Sequence, residues 1–117
     1  MLKDEITKAV GAHGLWKSRL RRAIDTGTSD FTSEGVKPDD RCDFGRWLHA
    51  VPAEERNEHH QHVAALHADF HREAANVLRL VEAGDKAGAR KAMSPGSKFE
   101  QLTSELTQAM TDWGRAA

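Results

Sequence analysis

Apolar residues recur at three- and four-residue steps along most of this chain, the spacing of a helix face. In the first stretch, about residues 2–25, Ile6, Val10, His13, Trp16 or Lys17, Leu20 and Ile24 form one stripe. Residues 26–38, TGTSDFTSEGVKP, are rich in Gly, Ser and Thr and are expected to form a loop across the end of a bundle. The run DDRCDFGRWLHAV (39–51) predicts a short helix, with Asp39 or Asp40 as N-cap and Phe44, Trp47 and Leu48 on one face. Gly45 inside it costs about 1 kcal/mol relative to alanine. It therefore marks a place where another backbone or a bulky ring comes close.

Pro52 is expected to open the longest helix, with Glu54 and Glu55 in a first turn that favours carboxylates. This helix runs to about Ala83 and stops at Gly84, a residue suited to the C′ position. Its stripe is Val63, His67, Phe70, Ala74, Leu78 and Val81, with His71 beside it. A brief helix, Asp85 to Ala92, leads into the breaker Ser94-Pro95-Gly96. The last helix, about 98–115, lines up Phe99, Leu102, Leu106, Met110 and Trp113. No stretch alternates like a strand. The expected fold is all-α: an antiparallel four-helix-bundle-like domain with additional short helices, one domain over residues 1–117.

Composition narrows what such a domain does. Only 38% of the 117 residues are hydrophobic, so a metal ion or oligomerisation would usefully supplement a modest core. The net charge of −1 argues against a nucleic-acid partner, and the one basic cluster, residues 17–22, reads as the solvated side of a helix. The N-terminus MLKDEITKAV lacks the apolar core of a signal peptide, and no apolar run approaches the ~20 residues of a membrane span. The expected location is the cytoplasm. The single cysteine, Cys42, excludes an internal disulfide, and seven histidines direct attention to metal.

His67 and His71 stand four apart, one above the other on a helix face, so both can present a nitrogen to one ion. His13 lies on the inward stripe of the first helix, and Cys42 begins the aromatic segment. Together they would form a closed tetrahedral set of a kind that favours Zn²⁺. Periodicity alone leaves alternatives open: a core histidine bonded to a backbone carbonyl for His13, and an inert buried thiol for Cys42. His49, His59, His60 and His62 read as a solvated face. His60 precedes His67 by seven residues, ~10.5 Å of helix rise, too far to share its ion. Trp16, Trp47 and Trp113 read as core or dimer-interface residues.

Three motifs carry a family resemblance: His13-Gly14-Leu15-Trp16 (HxxW), Cys42-Asp43-Phe44-Gly45-Arg46-Trp47 (CxFGxW) and His67-Ala68-Asp69-Phe70-His71 (HxxxH). In this order and spacing the chain resembles the chemoreceptor zinc-binding (CZB) domain family. The likeness extends to the Pro95–Phe99 segment and to Trp113. It implies a three-histidine, one-cysteine zinc site of His13, Cys42, His67 and His71 in a helical bundle that is often a homodimer. Family members commonly accompany chemoreceptor signalling regions or diguanylate cyclase domains and are reported to sense zinc or oxidants such as hypochlorous acid. Cys42 is then the redox-sensing residue, because its zinc-bound thiolate is also a nucleophile. Chemotaxis or cyclic-di-GMP signalling proteins are the expected partners. An enzyme is not expected: dinuclear iron sites want several inward carboxylates, and a hydrolytic zinc site keeps one position open. A purely structural zinc bundle that mediates dimerisation shares every ligand with the sensor.

Overall fold

The computed structural model describes residues 2–116, and the regular structure among them is entirely helical. Helix α1 (Leu2–Thr26) buries Ile6, Ala9, His13, Trp16, Leu20, Ala23 and Ile24, with Val10 half-buried at the edge of the stripe. It is followed by α2 (Ser33–Val36), α3 (Asp43–Ala50), a 3₁₀ turn (Ala53–Glu55), α4 (Glu58–Glu82), α5 (Lys86–Ala92) and α6 (Lys98–Ala116).

The segment between α1 and α4 departs most from the sequence pattern. Within the expected loop, Thr32 caps a single helical turn, its Oγ1 accepting the Gly35 N–H at 3.0 Å, and this forms α2. The cap of α3 is Cys42 and not Asp39 or Asp40: its Sγ accepts the Gly45 N–H at 3.2 Å. The long helix does not begin at Pro52. Pro52, Glu54 and Glu55 build the 3₁₀ turn, Arg56 is extended, and Asn57 is the true N-cap, its Oδ1 accepting the His60 N–H at 2.9 Å. The Arg56 guanidinium donates to the carbonyls of His49 and Val51, each at 3.0 Å, satisfying backbone acceptors at the end of α3. A continuous helix from Pro52 would carry that side chain elsewhere.

At the other end α4 stops where expected. Gly84 takes φ 78°, its N–H donates to the Val81 carbonyl and that of Asp85 to the Leu80 carbonyl, the paired bonds of a Schellman ending. The three long helices then pack together. Ile6 lies near Gly114, and Lys17 pairs with Glu100, so α6 runs antiparallel to α1. His60 meets Trp113 and Phe70 meets Phe99, so α6 is antiparallel to α4 as well. Helices α1 and α4 run parallel, because residues 27–57 carry the chain back along their length and lay α2 and α3 against them. Leu20, Val63, Phe70, Leu78, Phe99 and Leu106 line the interior along the bundle, each at most 1% exposed.

Candidate metal centre

Midway along the bundle the core turns polar. His67 and His71 are 0% and 3% exposed on the inward face of α4, and His13 faces them from α1 at 4%. Cys42 closes the group from the N-cap of α3. Its Sγ is 3.3 Å from His67 Nε2 and 3.5 Å from His71 Nε2, while those two nitrogens are 3.1 Å apart. One ligand atom from each of the four residues lies within 4.8 Å of all the others. A tetrahedron with metal–ligand bonds of ~2.0–2.3 Å has edges of roughly 3.3–3.8 Å. The cluster is thus already close to the separations a four-ligand ion imposes.

Backbone carbonyls fix the tautomers of two of these rings. His13 Nδ1–H donates to the Ala9 carbonyl at 2.8 Å, and His71 Nδ1–H to the Val36 carbonyl at 2.8 Å. A carbonyl only accepts, so in each ring the proton sits on Nδ1 and the Nε2 lone pair points into the cluster. His13 Nε2 is buried with no hydrogen-bond partner, as is His67 Nδ1. A buried polar atom left in this state costs about 1–3 kcal/mol, and a cation among the lone pairs removes that cost for His13. The set of residues fits a metal ion.

Electrostatics prepares the same state. Burial lowers the His13 pKa to about 4 and that of His67 to about 2, and it lowers His71 against the Val36 hydrogen bond. All three rings are therefore neutral near pH 7, the form that ligates. Burial raises the Cys42 thiol, opposed by the Gly45 N–H aimed at its sulfur, so metal binding must displace a thiol proton. Phe44 and Phe70 wall the rings edge-on, with centroids 5.3 Å from His67 and 5.1 Å from His13 respectively. A cavity of about 420 Å³ between α1 and residues 31–44 reaches His13, Cys42 and His71 from solvent, flanked by Trp16, Phe31 and Arg19. The Arg19 guanidinium lies 5.2 Å from the Trp16 ring centre and 5.3 Å from that of Phe31.

All four residues expected at a metal site from the sequence converge here. His49 and His62 are exposed, as expected of a solvated face, and His59 is half-buried. His60 is not solvated: it is 5% exposed, its Nε2–H donates to the Leu48 carbonyl at 2.9 Å, and its ring packs edge-on against Trp113. It stays apart from the cluster and ties the end of α3 to α4. Trp16 and Trp113 are buried and Trp47 is half-buried. Sequence patterns gave no hint of the Val36 carbonyl. Gly45 did carry a signal, because a Cβ there would overlap the Asp39 carbonyl oxygen.

A buried set of three imidazoles and one thiol, contributed by three helical segments, defines a metal-binding helical domain. The chain belongs to the chemoreceptor zinc-binding domain family, whose sequence model matches residues 13–78 and so spans all four clustered residues. Helices α5 and α6 lie outside the matched segment. No curated protein and no solved structure matches the chain. Among the described residues no helix is long and apolar enough to cross a membrane.

Proposed function

We propose that His13, Cys42, His67 and His71 hold one Zn²⁺ ion, and that Cys42 makes this site a cytoplasmic sensor of oxidant or of zinc availability. The observation that carries the proposal is the convergence of four ligand atoms within 4.8 Å, with the buried Nε2 of His13 lacking any other partner. Three nitrogens and one sulfur in a tetrahedral set suit zinc among the common metals. Bound zinc supplies charge that holds the Cys42 sulfur as thiolate. Four protein ligands leave no position for water or substrate, which favours regulation over catalysis.

The chain's own geometry supports Cys42 as the responsive group. The cavity beside Trp16 and Phe31 gives a small oxidant access to the sulfur. The thiolate attacks the chlorine of hypochlorous acid, and hydrolysis of the resulting S–Cl bond yields sulfenic acid and chloride. In sum R–S⁻ + HOCl gives R–SOH + Cl⁻, with two electrons passing from sulfur to chlorine. Sulfenic sulfur is a weaker ligand and a weaker acceptor for the Gly45 N–H. Because Cys42 is the N-cap of α3, its oxidation acts directly on the start of that helix. Release of α3, with Phe44 and Leu48 in the core, is the conformational output, passed to a partner copy and to chemotaxis or cyclic-di-GMP signalling proteins.

Two measurements test this. Elemental analysis is expected to find about one zinc per chain, lost in each of the four ligand-to-Ala variants. Zinc release under a mild hypochlorous acid dose is expected to be fast in the wild type and slow in Cys42→Ser. Equal release from both proteins overturns the thiolate trigger and leaves zinc availability as the signal or a structural zinc bundle.

A further inference from the structure

Helix α2 is fastened to α4 at both of its ends. At one end the Ser33 N–H donates to Glu82 Oε2 at 2.9 Å and the Ser33 hydroxyl to Glu82 Oε1 at 2.6 Å. At the other end the Val36 carbonyl accepts the Nδ1–H of His71 at 2.8 Å. A four-residue helix has no stability of its own in water, since one turn cannot recover the cost of nucleation. The position of the Val36 carbonyl therefore depends on what holds α2. The buried Val36 side chain anchors the near end, and the carboxylate of Glu82, the last residue of α4, anchors the far end. Ser33 is 6% exposed while Glu82 is exposed, so the carboxylate holds the far end of α2 from its solvent side. The two Ser33 hydrogen bonds hold the Glu82 carboxyl below its ordinary pKa, so it is ionised throughout the neutral range.

We propose that Glu82 is a positioning residue for the metal centre: by clamping Ser33 it fixes α2, and with it the Val36 carbonyl that orients His71 and keeps Nε2 as the ligand atom. The inference rests on the zinc-binding proposal but concerns residues that proposal does not use. Glu82 lies beyond the matched segment 13–78, three helical turns from His71. The hydrogen-bond partner of a ligating imidazole sets its tautomer and ring orientation, and losing such a partner lowers metal affinity about 10–100-fold. Acting through α2, loss of Glu82 belongs at the lower end of that range.

The test compares wild type, Glu82→Ala, Glu82→Gln and Asp85→Ala. Asp85 is the N-cap of α5, so its loss weakens the fold nearby without touching α2. Zinc affinity is read by competition with a chromophoric chelator. Separately, the imidazole nitrogen shifts of His71 in the metal-free protein report whether the proton stays on Nδ1. Glu82→Ala is expected to weaken zinc binding about 10-fold and to turn the His71 signals into a mixture of tautomers. Glu82→Gln, which keeps one acceptor oxygen, should recover part of both losses. Asp85→Ala should change neither beyond about two-fold. Wild-type affinity and an unchanged His71 tautomer in Glu82→Ala overturn the inference, as does an equal loss in Asp85→Ala. A wild type that binds no zinc overturns the zinc proposal, and the metal-free tautomer still decides the role of Glu82.

Discussion

Substituting Gly45 by alanine isolates one close approach on which the sulfur ligand depends. Gly45 is the third residue of α3, and its N–H points at Cys42 Sγ. The chain passing over it is backbone: a Cβ at position 45 would overlap the Asp39 carbonyl oxygen, sit 2.8 Å from the Asp39 carbonyl carbon and 3.2 Å from Asp40 Cα. Backbone cannot swing aside as a long side chain can, so residues 39–40 must move. Overpacking of this kind costs about 1–3 kcal/mol. Alanine regains about 1 kcal/mol of helix propensity over glycine. The net expectation is a destabilisation of up to about 2 kcal/mol, which lowers the Tm of a domain this size by up to roughly 8 °C.

The larger consequence falls on the site. Residues 39–40 are two and three positions before Cys42, so their displacement moves the sulfur away from His67 Nε2 and His71 Nε2. Zinc affinity is expected to fall at least about 10-fold, as when a partner that orients a ligand is lost. Gly14→Ala is the internal comparison, because a Cβ there meets nothing within 4 Å. It should stabilise by up to about 1 kcal/mol and leave zinc binding alone. Both variants are read by urea unfolding of the metal-free protein and by chelator competition. A Gly45→Ala protein that matches Gly14→Ala in both measurements refutes the close approach and its link to Cys42.

Metal-free protein should lose stability on acidification. Burial lowers the folded pKa of His13 to about 4, while the unfolded ring keeps ~6.5, so the unfolded chain binds more protons between those values. Stability is full above pH ~6.5 and falls by up to about 1.4 kcal/mol per pH unit for each buried imidazole, and urea titrations at pH 7.5, 6 and 5 that superimpose would refute this. His60→Ala should cost about 1 kcal/mol for the lost hydrogen bond to the Leu48 carbonyl, which keeps its 3.4 Å bond from the Val51 N–H, yet retain about one zinc per chain by elemental analysis; loss of the metal would place His60 at the site. Phe70→Ala removes a ring that is 0% exposed and packs against His13 and Phe99, and calorimetry should show a loss of about 3–5 kcal/mol.

Positions were legible in the sequence wherever a long helix had one face to bury. Over α1, α4 and α6 the stripe is long enough for the period to average out exceptions, and His13, His67 and His71 could be placed inward by register alone. The same logic failed for His60. It sits on nearly the same stripe as His67, but the polar run Glu58–His62 made that end of α4 look solvated. What buries it is the end of α3 and Trp113, contacts distant in sequence that a local pattern does not carry. Residues 27–57 failed for a related reason. Their turns are set by single side-chain caps, Thr32, Cys42 and Asn57, and each competes with an equally plausible neighbour such as Asp40 or Pro52. The choice of Cys42 over the nearby aspartates has a physical meaning. A carboxylate cap at Asp40 would begin the helix two residues earlier and carry the cysteine into its first turn. With sulfur as the cap, the atom that accepts the Gly45 N–H is also the one that faces His67 and His71. The start of α3 and the sulfur of the candidate centre are thus the same atom, which is why a change at that sulfur cannot stay local to the cluster.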